Sequence, residues 1–205
     1  MFRIFQRALH SRLHSAWRSG VIKIRKLGSR PEAVFVRAWA RSPRLVGAIC
    51  PSSAALADAM VDGVPEGTGL VVDLGAGTGV VTEALLKKGI QPRRIIVVEQ
   101  SVQLSGYLRK RFPGLMVLHG DAAKLSEMLP KQPVDCIVSS LPLVSFSEAQ
   151  REAVVRELKM VLQGRPLIQF TYLWGGAYLA GKGLVCVNSR LVLKNLPPAR
   201  VMKFM

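Results

Sequence analysis

The sequence predicts an α/β fold: a mostly parallel sheet with helices on both faces, a C-terminal antiparallel pair of strands, and an amphipathic helix in front of it all. Three observations predict this. From residue 69 onward, short apolar runs alternate with helical patterns, which implies βαβ units. A glycine-rich loop, Asp73-Leu74-Gly75-Ala76-Gly77-Thr78-Gly79, follows the first apolar run. Two strand-like segments close the chain with only Asn195–Ala199 between them, too short a connection for a crossover helix, so that pair is antiparallel.

The elements follow in order. Residues 1–18 place Phe2, Phe5, Leu9, Leu13, Ala16 and Trp17 on one helical face and Arg3, Arg7, His10, His14 and Arg18 on another. Gly20 ends that helix. A basic face without acids, opposite bulky apolar residues, is the pattern of a helix lying in a membrane interface. A mitochondrial transit peptide and an ordinary helix docked on its own domain compete with this reading. Pro31 opens a short helix through Trp39, and Pro51 stops what precedes it. Ser52 or Ser53 caps a helix running to about Met60. Gly69–Leu74 is a buried strand, Val80–Lys88 a helix and Arg94–Val98 a second strand. Val102–Phe112 is helical, Leu115–His119 a third strand and Ala122–Leu129 a short helix. Asp135–Ser139 is a fourth strand. Ser147–Leu162 is a long helix, opened by a capping-box pattern of Ser147 with Gln150. Pro166–Leu173 is a fifth strand, and Gly183–Leu193 with Arg200–Phe204 the closing pair. The organisation is a basic amphipathic region, 1–45, and one α/β domain, 46–205.

Bulk properties narrow the function classes. The 205 residues suit one domain plus an appendage. With 49% apolar residues the chain is not of the disordered class. No apolar run reaches the roughly 18 residues that span a bilayer, and no secretory signal is recognisable. The net charge of +16 is divided unevenly: +10 over residues 1–50, −1 over 51–157 and +7 over 158–205. Basic ends around a neutral middle point to an anionic partner, lipid headgroups or nucleic acid, against the plainer alternative of a generally basic soluble protein. The three cysteines, Cys50, Cys136 and Cys186, have neither disulfide-framework nor zinc-site spacing, so no metal is expected and a reducing compartment fits best.

Four signals carry chemistry, each at the carboxyl end of a predicted strand, where such sheets bind ligands. In the first loop, Gly75, Gly77 and Gly79 allow a tight turn and, with Ala76, a close ligand approach. The helix starting at Val80 turns free N–H groups towards that ligand. The G-x-G-x-G spacing is not the G-x-G-x-x-G dinucleotide form. Asp73 suits the ammonium of an amino-acid ligand and sits badly beside a pyrophosphate. Glu99 and the adjoining Gln100 end the second strand, where a carboxylate accepts hydrogen bonds from ribose hydroxyls; the plain alternative for Glu99 is a surface acid. Gly120-Asp121-Ala122 follows the third strand. Asp121 is placed to accept from an adenine amino group, with the Ala122 N–H donating to the ring, or to cap the next helix, or both. Ser139-Ser140-Leu141-Pro142-Leu143 follows the fourth strand, with carbonyls and small polar side chains suited to holding a nucleophilic amine.

Together, Pro51-Ser52-Ser53, the Asp73–Gly79 loop, Glu99, Gly120-Asp121-Ala122, Ser140-Leu141-Pro142-Leu143, Gln169-Phe170-Thr171-Tyr172 and Asn195–Val201 resemble the bacterial phospholipid N-methyltransferases. These lie within the class I methyltransferases related to the ribosomal RNA adenine dimethyltransferases. The resemblance spans roughly residues 45–205. It implies a class I methyltransferase (Rossmann-like) sheet, S-adenosylmethionine as cofactor, and methylation of phosphatidylethanolamine towards phosphatidylcholine. Ornithine-lipid N-methylation and rRNA adenine N6-methylation are the alternatives. Carried over by position, Asp73, Gly75, Ala76, Gly77, Gly79, Glu99, Gln100, Asp121, Ala122 and Ser139 hold the cofactor, and Ser52 and Ser53 lie near its methionine end. Ser140 and Leu141 border the amine, while Tyr172 and Tyr178 face the headgroup by cation–π contact or hydrogen bond.

The resemblance also implies a peripheral enzyme on the cytoplasmic face of the cell membrane, held to anionic lipid through its N-terminal helix. Nucleic acid is disfavoured as a partner: adenine dimethyltransferases read Asn-Leu-Pro-Tyr where this chain has Ser-Leu-Pro-Leu, so the aromatic that stacks a flipped adenine is missing. A non-enzymatic membrane protein that kept the fold is opposed by the intact acids at 73, 99 and 121. Residues 173–183 and the final Val-Met-Lys-Phe-Met depart from the family pattern. No histidine is placed as a general base, so none is expected to be essential.

Overall fold

A computed structural model describes residues 53–172, 179, 182–195 and 198–205. The amphipathic region, the 1–45 boundary, Ser52 and Tyr178 lie outside the described residues. Helix α1 (Ala54–Asp62) opens them. Strands β1 (Leu70–Leu74), β2 (Ile95–Glu99), β3 (Met116–His119), β4 (Val134–Ser139) and β5 (Leu167–Tyr172) alternate with α2 (Val80–Lys87), α3 (Val102–Arg111), α4 (Leu125–Met128) and α5 (Glu148–Leu162). Strands β6 (Cys186–Val192) and β7 (Ala199–Phe204) complete a seven-stranded sheet of order β3-β2-β1-β4-β5-β7-β6. The first five strands run parallel, and β7 runs antiparallel to both β5 and β6.

The strands read as continuous apolar runs because the parallel sheet is buried on both faces and alternate side chains go to opposite cores. In β1, Val71 joins the core under α1, α2 and α3, with Leu56, Met60, Leu85 and Leu108. Leu70, Val72 and Leu74 join the core under α4 and α5, with Leu125, Val154, Leu158 and Leu162. Asp73 is the polar exception, on the α2 side and fully buried.

Helix ends follow the local chemistry. The Ser53 hydroxyl accepts from the Leu56 N–H at 3.2 Å and caps α1. Ser147 and Gln150 form the reciprocal capping box at the start of α5. The expected single helix over Ala122–Leu129 is instead a 3-10 turn, Ala122–Lys124, followed by the four residues of α4. Asp121 caps the turn, and the tighter 3-10 geometry is common in so short a connection. The expected second strand starts one residue later, because Pro92–Arg94 close a 3-10 turn before it. No helix among the described residues is long and apolar enough to cross a membrane.

Candidate active site

The first loop is built on backbone geometry that only glycine adopts freely. Gly75, Gly77 and Gly79 have φ of 76°, 58° and 84°. Between them the chain leaves β1, turns and enters α2, with Gly79 at the N-cap. Arg111 of α3 donates to the Thr78 carbonyl at 2.5 Å and ties the loop's outer side. The loop also abuts the one after β4. The Ser140 N–H donates to the Leu74 carbonyl at 2.9 Å, and a Cβ on Gly75 would stand 2.9 Å from Leu141 Cδ2. The glycine loop and Ser139–Leu143 therefore form one continuous rim.

Asp73 lies beneath that rim. Its Oδ2 accepts a short hydrogen bond from the Thr82 hydroxyl of α2. Its Oδ1 is buried and has no partner among the described residues. Burial pushes the carboxyl up to about 7, and the neighbouring Glu99 carboxylate adds to the rise; the Thr82 hydrogen bond works against both. An ammonium group at Oδ1 would satisfy the orphaned oxygen and restore the ionised form.

Glu99 closes β2 with both carboxylate oxygens occupied once. Oε2 accepts from the Gly77 N–H at 2.8 Å and Oε1 from the Ser101 N–H at 2.8 Å. Each oxygen keeps a lone pair for another donor. The acid is 8% exposed, so it is not the surface acid of the plainer reading. Burial raises its pKa, opposed by the N–H groups of Ser101, Gly77 and Gln100 and by His119. The exposed Gln100 contributes its main-chain carbonyl, which accepts from His119 Nε2–H at 3.0 Å.

Asp121 is exposed, and its Oδ1 accepts from the Ala123 N–H at 2.9 Å, so the capping role is present. Its Oδ2 has no such tie in the turn, and Ala122 beside it is buried. At the end of β4, Ser139 is fully buried, and its hydroxyl accepts from the Leu141 N–H at 3.3 Å. The Ser140 hydroxyl is buried and unpartnered among the described residues. Tyr172 is half-buried at the end of β5, its ring edge-on to Phe170 at 5.5 Å. Ser53 has its hydroxyl engaged as the α1 cap, and its N–H donates to Asn195 Oδ1 at 3.0 Å.

Three residues of this neighbourhood have no role in the sequence reading, although Gln169 and Asn195 belong to motifs that carry the resemblance. Thr82 holds Asp73, and its signal was a polar residue within the apolar stripe of Val81, Ala84 and Leu85 on α2. Gln169 donates through Nε2 to the Leu141 carbonyl at 3.0 Å; its signal was a long amide inside the apolar run of β5. Asn195 fixes the start of α1 from the hairpin between β6 and β7; the Asn195–Val201 motif marks the residue but not this contact. Among the described residues, no group of three His, Cys, Asp or Glu side chains is arranged to hold a metal ion.

The comparisons agree with this geometry. Residues 71–164 match a family described as a methyltransferase domain. The chain is 30% identical over 136 residues to an ornithine lipid N-methyltransferase of Singulisphaera acidiphila, covering 63% of this chain and 71% of that protein. Among solved structures, a SAM-dependent methyltransferase from Aquifex aeolicus superposes with a TM-score of 0.60 at 17% identity, covering 87% of this chain and 99% of that one. A TehB-like SAM-dependent methyltransferase from Corynebacterium glutamicum gives 0.59 at 17% identity, covering 84% and 98%. The cofactor is S-adenosylmethionine, and the orphaned Asp73 oxygen, the free lone pairs of Glu99 and the open space over Gly77 fit it. The chain belongs to the class I S-adenosylmethionine-dependent methyltransferases and is a relative of the ornithine lipid N-methyltransferase of Singulisphaera acidiphila.

Proposed function

We propose that this enzyme methylates the headgroup amine of a membrane lipid at an anionic membrane surface. The observation that carries this reading is the relative named for ornithine lipid N-methylation, 71% of whose length the chain covers. That relative favours ornithine lipid as the acceptor. Phosphatidylethanolamine is the second reading, favoured by the resemblance of the Ser140–Leu143 loop and the Gln169–Tyr172 strand end to the phospholipid N-methyltransferases.

In this reading the cofactor's ammonium meets Asp73 Oδ1, its ribose hydroxyls meet Glu99, and Asp121 with the Ala122 N–H reads the adenine. Gly77, with open space over it, lets the cofactor lie against the backbone, while Gly75 and Gly79, whose missing side chains face Leu141 and Phe112, shape the turn on either side of Ala76; Gln100, Ser139, Ser52 and Ser53 flank the cofactor. Ser140 and Leu141 border the amine, and Tyr172 and Tyr178 face the headgroup. Bound S-adenosylmethionine supplies a methyl group already activated on a sulfonium, so the protein's part is alignment and exclusion of water. The headgroup ammonium loses its proton to water before attack, and no side chain acts as an essential general base. Basic residues at both ends of the chain, and the apolar face of residues 2–17, hold the enzyme on the cytoplasmic leaflet.

The test is transfer of label from methyl-labelled S-adenosylmethionine to anionic vesicles containing ornithine lipid or phosphatidylethanolamine, with ribosomal RNA as the competing acceptor. Label is expected in lipid; label in RNA alone would overturn the reading. Deleting residues 1–18 is expected to weaken sedimentation with vesicles at least tenfold while leaving cofactor affinity within about twofold. Unchanged sedimentation would remove the helix as anchor.

A further inference from the structure

The amide of Gln169 is unusual in how its valences are used. It lies within β5, 5% exposed, and its strand position pairs with Ser139 at the end of β4. Its Nε2 donates to the Leu141 carbonyl at 3.0 Å and to the Phe170 carbonyl at 2.8 Å. Both partners are carbonyls, which only accept, so the amide cannot be turned over: the NH₂ must face them. Oε1 is therefore left buried with no donor among the described residues. The Ser140 hydroxyl, one residue before Leu141, is likewise buried and unpartnered. One unsatisfied oxygen thus belongs to the amide that holds the Leu141 carbonyl, and the other to the residue before Leu141, on the loop that abuts the glycine-rich turn. Native structures rarely leave such groups unpaired, so a ligand that donates N–H bonds is the economical partner.

We propose that Gln169 Oε1, with the Ser140 hydroxyl, accepts the N–H bonds of the amine undergoing methylation, so that the site reads how many N–H bonds the acceptor still carries. This rests on the reading of the enzyme as a lipid-amine methyltransferase. A neutral primary amine offers two N–H bonds besides its lone pair, a secondary amine one, and a tertiary amine none. In each round the nitrogen lone pair forms the new N–C bond while the C–S bond breaks. The C–S electron pair stays on sulfur, leaving a neutral thioether, and the methylated ammonium gives its proton to water before the next round. Each of the first two methyl groups removes one N–H, so the tertiary amine and the quaternary product both leave the two acceptors orphaned, which favours their release. Gln169 is thus a substrate-contacting residue that also positions Leu141.

The test uses anionic vesicles carrying phosphatidylethanolamine or ornithine lipid, each as the unmethylated, N-methyl and N,N-dimethyl form, with kcat/KM measured on each. For the wild-type enzyme, kcat/KM is expected to fall at each added methyl; equal or rising values would overturn the proposal. Gln169→Leu is expected to lower kcat/KM about tenfold on the unmethylated lipid, the loss of one hydrogen bond of about 1.4 kcal/mol. On the dimethyl form the expected loss is smaller, at most about threefold, from the lost hydrogen bond to the Leu141 carbonyl alone. A uniform loss on all three forms would mean that Gln169 only braces Leu141, and no loss on any form would mean it does not meet the amine; either sinks the proposal. Cofactor affinity, read by calorimetry, is expected to stay within about twofold and reports that the variant is folded. A variant that does not fold leaves the wild-type series to decide. Wild-type enzyme that labels neither lipid would instead overturn the lipid-amine reading itself, which is a separate outcome.

Discussion

Replacing Asp73 with alanine is expected to weaken S-adenosylmethionine binding by roughly 10- to 150-fold, the loss of a charge-assisted hydrogen bond of about 1.5–3 kcal/mol. The buried Oδ1 has no protein partner among the described residues and Thr82 holds the other oxygen in place, so the carboxylate is oriented before the ligand arrives. The same geometry makes binding depend on pH. In the free protein the carboxyl is held near 7 by burial, so below that value it is largely protonated. Binding a cationic ammonium favours the ionised form, and a proton must leave. Affinity is expected to rise by up to tenfold per unit as pH climbs towards about 7, and to level off above it.

The stability of the free protein runs the other way. A folded-state pKa above the unfolded value of about 3.9 gives a contribution that is fully present below the unfolded value. That contribution is lost as pH rises through about 7. Glu99, also raised by burial, acts in the same direction. Calorimetry in two buffers of different ionisation enthalpy would report the released proton. Asp73→Asn, which keeps the volume and can still accept from Thr82, is expected to lose that release and flatten the profile from this group. An unaltered profile in Asp73→Asn would remove Asp73 as the titrating group.

The glycines of the loop are expected to separate by function when each is replaced with alanine. At Gly79 a Cβ would stand 2.6 Å from Phe112 Cε2 and 2.8 Å from Leu108 Cδ2, at a φ of 84°. Left-handed strain of about 1–2 kcal/mol and overpacking of about 1–3 kcal/mol add to roughly 2–5 kcal/mol. In a chain of this size that is a fall in Tm of roughly 4–20 °C. At Gly77 a Cβ would meet nothing within 4 Å, and φ is 58°, so only the strain applies and the Tm falls by a few degrees. In the proposed reading the cofactor approaches the backbone through that open space, and the Gly77 N–H also donates to Glu99. Gly77→Ala is therefore expected to lose cofactor affinity at least tenfold in a nearly intact fold. Equal losses of Tm in the two variants, or unimpaired binding by Gly77→Ala, would contradict this division. Thermal melts with and without cofactor make both measurements.

The sequence by itself determined the alternation of elements, the glycine loop and the four strand ends of the candidate site, because burial on both faces of a parallel sheet writes each strand as an apolar run. The order of the closing strands was not legible. The short connection at Asn195 required β6 and β7 to be antiparallel, but only tertiary packing places β7 between β5 and β6. There Met202 and Phe204 enter the core beneath α5, and Val201 and Ala199 enter the opposite one. That placement depends on matching apolar surfaces far apart in the chain, which no local pattern records. The same limit applied to chemistry. Asp73, Glu99 and Ser140 announced themselves by position at the carboxyl end of a strand, whereas the contacts of Thr82, Gln169 and Asn195 depend on partners 9, 28 and 142 residues away. A hydrogen bond of that reach is fixed by the fold as a whole. So the sequence determined a methyltransferase frame and placed its acids at strand ends, and the tertiary structure decided which of their oxygens are spent and which are left without a partner among the described residues.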